Sequence, residues 1–428
     1  MPKSLYICYF SVREPLVQTQ VIPYLREIMH ARGTATDDGC DAKIAISLLT
    51  FEPTELGKDE EAAIKAKLKE AGVSWSWLRY HKRPSAPATA WDTLMGTWFV
   101  WSFIRRERPD ILHGRIHLPT LMAALARKFS RHKPKLLFDI RGFFPEEYTD
   151  AGVWPEGGWL YRSAKWVERW LLKEADGFVV LTEKAREILF PGSEETGVDK
   201  IGRPVEVIPC CIDPARFDGG ERRKAVRERL GIGSRFTLVY IGSFDGWYLS
   251  EELLNLFEFA KKTYPDTFAL VLTQRGADAV RQRLAARGFS DAEMYVGSVV
   301  PAEVPEYLSA GDAAVSFIKN CYSKQASSPT KIAEYLAAGL PVISNSGIGD
   351  LDELITGEGA GCLIRSFSDD EYRHALDTVR AAGDVRARCR QIADQRFDLG
   401  RIGGERYRRL YRRLLGLGGR SADPSGDP

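Results

Sequence analysis

The stretch Ser327-Ser328-Pro329-Thr330-Lys331, with Glu334 just beyond, gathers hydroxyls, a lysine and a carboxylate at the start of a helix-period run. Ser328 suits an N-cap and Pro329 a first helical position, so a helix is predicted to open there. Ala337, Ala338 and Gly339 close it before a strand that begins at Pro341. Lys331 then falls in the first turn, where the helix dipole is already positive. That placement costs from a few tenths to about 1 kcal/mol unless an anion joins it. The helix amides, the hydroxyls of Ser327 and Ser328 and Lys331 would together cradle a phosphate. Glu334, on the same face as Thr330 and Lys331, could accept two hydrogen bonds from vicinal ribose hydroxyls. An ordinary capped helix with an i,i+3 ion pair fits the same residues.

A second group lies in the first half. Phe138-Asp139-Ile140-Arg141-Gly142 ends a predicted strand and enters the loop FFPEE. Arg141, Glu146 and Glu147 therefore stand at a carboxyl edge, where open α/β sheets bind ligands. The run DILHGRIHLP places His113 and Arg115 at such an edge too, and SVREPLVQTQ offers Arg13 and Gln18. Arg141 reads either as a ligand contact or as a salt-bridge partner, and His113 either as substrate-facing or as a satisfied strand-end histidine. His113 and His117, four residues apart on a strand, would lie about 13 Å apart, too far to share a metal. Asp350-Leu351-Asp352 reads as an acidic helix start rather than a metal pair. No metal or cofactor is expected.

The elements that must position these residues alternate. Strand-like runs at Leu5–Phe10, Ile44–Thr50, Trp77–His81, Ile111–His113, Leu136–Ile140, Phe178–Leu181 and Val205–Ile208 are separated by amphipathic stretches such as Val17–Ala31. The rhythm restarts with Thr237–Gly242, Phe268–Thr273, Met294–Val296, Ala313–Phe317, Pro341–Ser344 and Gly361–Ile364. Strands alternating with helices mean βαβ units and parallel sheets. The reading is therefore α/β, with two doubly wound, Rossmann-like domains facing across a cleft. Residues 1–212 form the first domain and 213–395 the second. Residues 396–415 are a helix, and 416–428 a disordered tail.

Composition narrows the function. Among 428 residues, 60 Lys and Arg balance 58 Asp and Glu, which argues against a protein that coats nucleic acid. Seven scattered cysteines make no disulfide framework and fit a reducing cytoplasm. The amino terminus reads as a first strand rather than a signal peptide, and no apolar run reaches bilayer length. No GxGxxG follows a predicted strand, and no GxxxxGK[ST] or GxSxG occurs, which removes dinucleotide-binding, P-loop and α/β-hydrolase readings.

Ala326–Gly339 followed by Pro341-Val342-Ile343 and the Gly347/Gly349 turn resembles the donor-site signature of retaining glycosyltransferases of family 4, the "glycosyl transferases group 1", which have the GT-B fold. Glu334 matches the second glutamate of that family's Glu-x7-Glu motif, and Ala326 stands at the first. VIPCCIDPARF resembles the family's hinge, and Ile241-Gly242-Ser243 its glycine loop. FDGWYLSEE stands where the family usually has an arginine and a lysine, and only His113 remains of a common His-x-His pair. The resemblance implies a retaining, metal-independent hexosyl- or related transferase that uses a nucleotide diphosphate sugar. Its donor residues would be Gly242, Ser243, Arg275, Lys324, Ser327, Ser328, Thr330, Lys331, Glu334 and Gly349. Lys331, Arg141 and His113 would serve catalysis, and Arg13, Gln18, Arg115, Glu146 and Glu147 the acceptor.

The implied acceptor is a glycan, a lipid-linked sugar or a small molecule, and the implied C-terminal helix returns to the first domain. A nucleotide-sugar 2-epimerase and a non-catalytic partner in a glycan assembly complex are the alternatives. Trp91, Met95, Trp98, Phe99, Trp101 and Phe103, with Arg105 and Arg106 beyond, form an amphipathic helix. It either touches a membrane surface or packs on the first sheet. The expected location is the cytoplasm, with peripheral contact at the inner membrane face.

Overall fold

The computed structural model describes residues 1–29, 43–217, 220–381 and 385–417. Two compact units emerge. The first comprises Met1–Pro145, Trp154–Ile208 and the chain from Gly403 on; the second comprises Glu146–Val153 and Pro209–Ile402.

The first unit holds β1 (Lys3–Ile7), β2 (Ala45–Glu52), β3 (Ser74–Arg79), β4 (Ile111–Arg115), β5 (Lys135–Asp139), β6 (Gly177–Val180) and β7 (Val205–Val207). They pair in parallel in the order β3-β2-β1-β4-β5-β6-β7. The second holds β8 (Phe236–Ile241), β9 (Thr267–Leu272), β10 (Met294–Gly297), β11 (Ala313–Ser316), β12 (Val342–Asn345) and β13 (Gly361–Ile364). Their order is β10-β9-β8-β11-β12-β13, again parallel. Helices cover both faces of such sheets, so the strands are near-continuous apolar runs; β9, TFALVL, is buried at every residue. Strand order reverses between β1 and β4 in one unit and between β8 and β11 in the other. Those switch points are where doubly wound sheets open a crevice at their carboxyl ends.

All thirteen strand-like runs of the sequence are strands, shifted by three residues at most. The stretch Val17–Ala31 is not one helix. It divides into Pro15–Gln20 and Ile22–Met29 around Val21, because Pro23 has no N–H to continue the first helix and suits the first turn of the next. Residues 30 and 31 lie outside the described residues, as do 418–428 of the segment read as a disordered tail. The final helix, Glu405–Leu414, belongs to the first unit. It packs on β7 and on the helix Ile22–Met29, burying Tyr407, Leu410, Tyr411 and Leu414. Arg409 fixes it through two bonds to Glu206, at 2.8 and 2.6 Å. Among the described residues no helix is long and apolar enough to cross a membrane.

In the second unit the helix Thr330–Ala337 is bolted to the sheet by Tyr335. Its hydroxyl accepts the Ile241 N–H at 2.7 Å and donates to the Val315 carbonyl at 3.3 Å. This sets the helix start against the end of β8. Replacing Tyr335 with Phe leaves the half-buried Ile241 amide unpaired and should lower unfolding stability by about 1–3 kcal/mol. A urea titration monitored by circular dichroism reads this; an unmoved midpoint would show that the hydroxyl is not the bolt.

Candidate functional site

In the second unit, β8 ends at Ile241 and the chain turns at Gly242, with φ of 146°. The backbone angle requires glycine, and a Cβ there, 2.7 Å from Lys331 Nζ, would displace the ammonium. The loop then runs antiparallel to the chain leaving β11: Tyr248 bridges Ile318, and Lys319 N–H donates to Trp247 C=O at 2.8 Å. Asn345, at the end of β12, clamps Ile318 with two bonds, at 2.8 and 2.9 Å. The two loops flanking the β8/β11 switch point are thereby joined.

Lys331 projects into this junction from the first turn of its helix. Its ammonium lies 4.5 Å from the ring centre of Tyr240 and 4.0 Å from that of Tyr248. It is 7% exposed and has no hydrogen-bond partner. Burial pushes its pKa down to about 7, opposed only in part by Glu334. Glu334, one turn on, is pushed up to about 7, also by burial, against the pull of Arg216 and Lys331. Lys324, on the short 3-10 turn Tyr322–Ala326, lies 3.8 Å over the Trp247 ring and 3.4 Å from Glu147 Oε1. Two buried ammonium groups thus rest on aromatic faces at one switch point. A buried cation with only rings around it is under-compensated, and an anion would complete it.

Several residues stand differently from expectation. The N-cap is Pro329 and the helix begins at Thr330, one residue late. Ser328 does not cap it, because its hydroxyl accepts the Cys210 N–H at 3.1 Å and so ties the segment after β7 to the helix start. Ser327 closes the preceding turn through its N–H to Lys324 C=O, at 3.1 Å. Ser243 holds Asp245 N–H at 3.0 Å with its hydroxyl and Tyr240 OH at 2.6 Å with its carbonyl. Gly349, with φ of 46°, donates to Lys324 C=O at 2.9 Å. Arg275 is exposed in the turn after β9. Asp352, not Asp350, caps the glycine turn by accepting the Gly347 N–H at 2.9 Å. Glu146 and Glu147 belong to the second unit rather than to the first, and Glu147 lies beside Lys324. The sequence reading missed Tyr240, Trp247 and Tyr248. For Trp247 and Tyr248 the signal was the aromatic FDGWY in place of a basic pair, while Tyr240 lies within β8: here the strand end and loop supply rings and the helix region supplies cations.

In the first unit, Asp139 gathers most of the predicted residues. It is fully buried at the end of β5 and takes Arg141 Nε at 3.0 Å, Tyr407 OH at 3.0 Å and His113 Nε2 at 3.4 Å, with Arg115 Nη1 at 3.8 Å. Burial alone would raise its pKa, but Arg141, His113 and Arg115 together hold it well below the usual carboxylate range. His113 has no exposed surface, its Nδ1 meets Tyr411 OH at 2.9 Å, and burial lowers its pKa, so it is neutral. Of its two readings, this geometry is that of the satisfied strand-end histidine, and Arg141 makes the salt bridge. His117 opens the helix His117–Lys128 instead of extending β4, and its Nε2 faces Glu168 at 3.0 Å. Between them Ile116 takes φ of 64°, a strained angle for a β-branched residue at a strand's carboxyl end. Arg13 is held by Glu60 and Thr54, each at 2.9 Å, and Gln18 donates to Val12 C=O at 2.6 Å. Buried Glu52, not singled out from sequence, anchors that loop by accepting the Val12 N–H at 2.8 Å and a bond from the Ser11 hydroxyl.

Two family descriptions match the chain: a glycosyl transferase 4-like domain over residues 36–211, and glycosyl transferases group 1 over residues 235–381. No curated protein matches the sequence. Among solved structures, HepE from Anabaena in complex with UDP and glucose has a TM-score of 0.65 at 14% identity, over 98% of this chain and 100% of its own. A glycosyltransferase from Rickettsia africae gives 0.67 at 14% identity, over 97% and 99%. Sucrose-phosphate synthase from Thermosynechococcus elongatus gives 0.66 at 14% identity, over 98% and 100%. At such identity the likeness speaks for the fold.

Because the folded-state pKa of Lys331 lies below that of an unfolded lysine, the folded protein binds fewer protons between about pH 7 and pH 10. The contribution of this group to stability therefore rises with pH across that window. Lys331→Met should stabilise the ligand-free protein by about 1–4 kcal/mol at pH 6, an advantage that fades toward pH 10. Thermal melts over that range test it. Destabilisation at every pH would mean that the ammonium is structurally satisfied.

Proposed function

We propose, for a chain that belongs to the group 1 glycosyltransferases and has their GT-B fold, that it moves a sugar from a nucleoside diphosphate to a hydroxyl acceptor with retention at the anomeric carbon. One observation carries the reading: the buried Lys331 ammonium, without a hydrogen-bond partner, set against Gly242 at the switch point of the second sheet. A diphosphate there would give the ammonium its missing counter-charge and meet the helix amides. Lys324 stands on the same side of the sheet and adds to the positive field. Glu334, a turn beyond, accepts the ribose hydroxyls. The UDP, glucose and UDP-glucose seen in the Anabaena HepE structures make uridine nucleotides the first donors to test.

The chemistry asked of these groups is electrostatic. The bond from the anomeric carbon to the diphosphate oxygen breaks, and the acceptor oxygen bonds to that carbon. The leaving phosphate oxygen takes the acceptor proton. Positive charge held in a dry site once the donor is bound stabilises the departing diphosphate, so neither a protein nucleophile nor a metal is required. The acceptor, a glycan, lipid-linked sugar or small molecule, is read at the carboxyl edge of the first sheet. Asp139, with His113, Arg115 and Arg141, holds that edge in shape.

Lys331→Ala should lower transfer by about 10²–10³-fold while the protein stays folded. Glu334→Ala should weaken nucleotide binding by roughly ten- to a hundredfold, the loss of hydrogen bonds to a charged group. UDP-, GDP- and ADP-glucose, screened by melting temperature, identify the donor; at 100 times its dissociation constant a ligand adds about 2.7 kcal/mol. The reading fails if no sugar nucleotide moves the melt, or if Lys331→Ala turns over like the parent.

A further inference from the structure

The helix Ser85–Glu107 buries the stripe Ala88, Asp92, Gly96, Val100 and Ile104. Gly96 allows its close approach, since a Cβ there would lie 2.4 Å from Met122 Sδ and 3.1 Å from Phe51. The opposite stripe, Trp91, Leu94 and Trp98, is 52%, 60% and 61% exposed. Phe129, 74% exposed, adjoins the same helix: its carbonyl accepts from Trp101 Nε1 at 3.3 Å. A surface helix ordinarily shows polar residues to water. This one turns large apolar side chains outward.

Charge gathers around the same stripe. Residues 71–138 hold twelve lysines and arginines against three acids; of the twelve, Arg115 is buried beside Asp139, Arg79 pairs with Glu55, and Arg127 and Lys135 pair with Asp176. Of the three acids, Asp92 is buried; Glu107 takes Lys3 Nζ at 3.0 Å and Asp110 takes the Lys3 N–H at 2.8 Å. Lys82 and Arg83 at one end of the helix, and Arg105 and Arg106 at the other, are exposed.

We infer that this face rests on the headgroup layer of a membrane rich in anionic phospholipid. Trp91, Leu94 and Trp98 reach the acyl boundary, and the flanking lysines and arginines meet lipid phosphates. A second copy of the chain fits less well, because a two-fold interface would set this basic surface against itself. The inference does not rest on the donor site, and its test is read apart from it.

The full chain is mixed at about 0.15 M salt with vesicles of phosphatidylcholine alone, or with 30% phosphatidylglycerol, and floated on a density gradient. Binding to the anionic vesicles should exceed binding to the neutral ones at least tenfold. The triple variant Trp91→Ser, Leu94→Ser, Trp98→Ser should lose at least tenfold of it, while retaining the parent's circular dichroism and melting temperature. Equal partition to both vesicles, or none, overturns the inference. So does unchanged binding by the triple variant, or a concentration-dependent dimer that the same substitutions dissolve.

Discussion

A lysine ammonium held between two tyrosine rings, without a hydrogen-bond partner and only partly offset by Glu334, is the constraint on which the second unit turns. Water would solvate that charge far better than the rings do, and burial has already driven the pKa of Lys331 down to about 7. The surrounding structure keeps it in place nonetheless. Gly242 makes room, Tyr335 fixes the helix to β8, and Asn345 holds the loop that brings Tyr248 near. Such an arrangement sacrifices stability for a buried amino group whose charge an arriving anion completes.

The first unit shows the opposite solution to a buried charge. Asp139 is as deeply buried, yet two arginines, a histidine and a tyrosine surround it, and it stays ionised. The tyrosine comes from the final helix, so this cluster also ties the end of the chain to the sheet. A satisfied charge makes a scaffold; an unsatisfied one waits for a partner. The contrast between Asp139 and Lys331 separates framework from the proposed site more clearly than residue type does.

Much of this was legible in the sequence. Every strand could be found because parallel strands buried on both faces are apolar runs, and the helix-period stretches between them fixed the fold class. The helix break at Val21 was missed because apolar periodicity continued through Pro23, which reads equally as a first-turn residue. Ser328 looked like a cap because its type and place were right, but its hydroxyl is claimed by Cys210, 118 residues earlier. His113 and Arg141 were found, yet pairing with Asp139 and the final helix depends on contacts across the whole unit. Lys331 stood out because it breaks a local rule. The rings that receive it did not, since aromatic residues near a strand end usually read as core.

The account is tested most directly by counting protons when a nucleotide binds. Calorimetry at pH 8, in buffers of different ionisation enthalpy, reads the number taken up with whichever of UDP, GDP or ADP raises the melting temperature. A lysine amine that is mostly neutral at pH 8 when free and an ammonium when bound should take up close to one proton per site, and Lys331→Met should take up none. Tight binding with no proton uptake in the parent protein would contradict the claim that Lys331 receives the diphosphate.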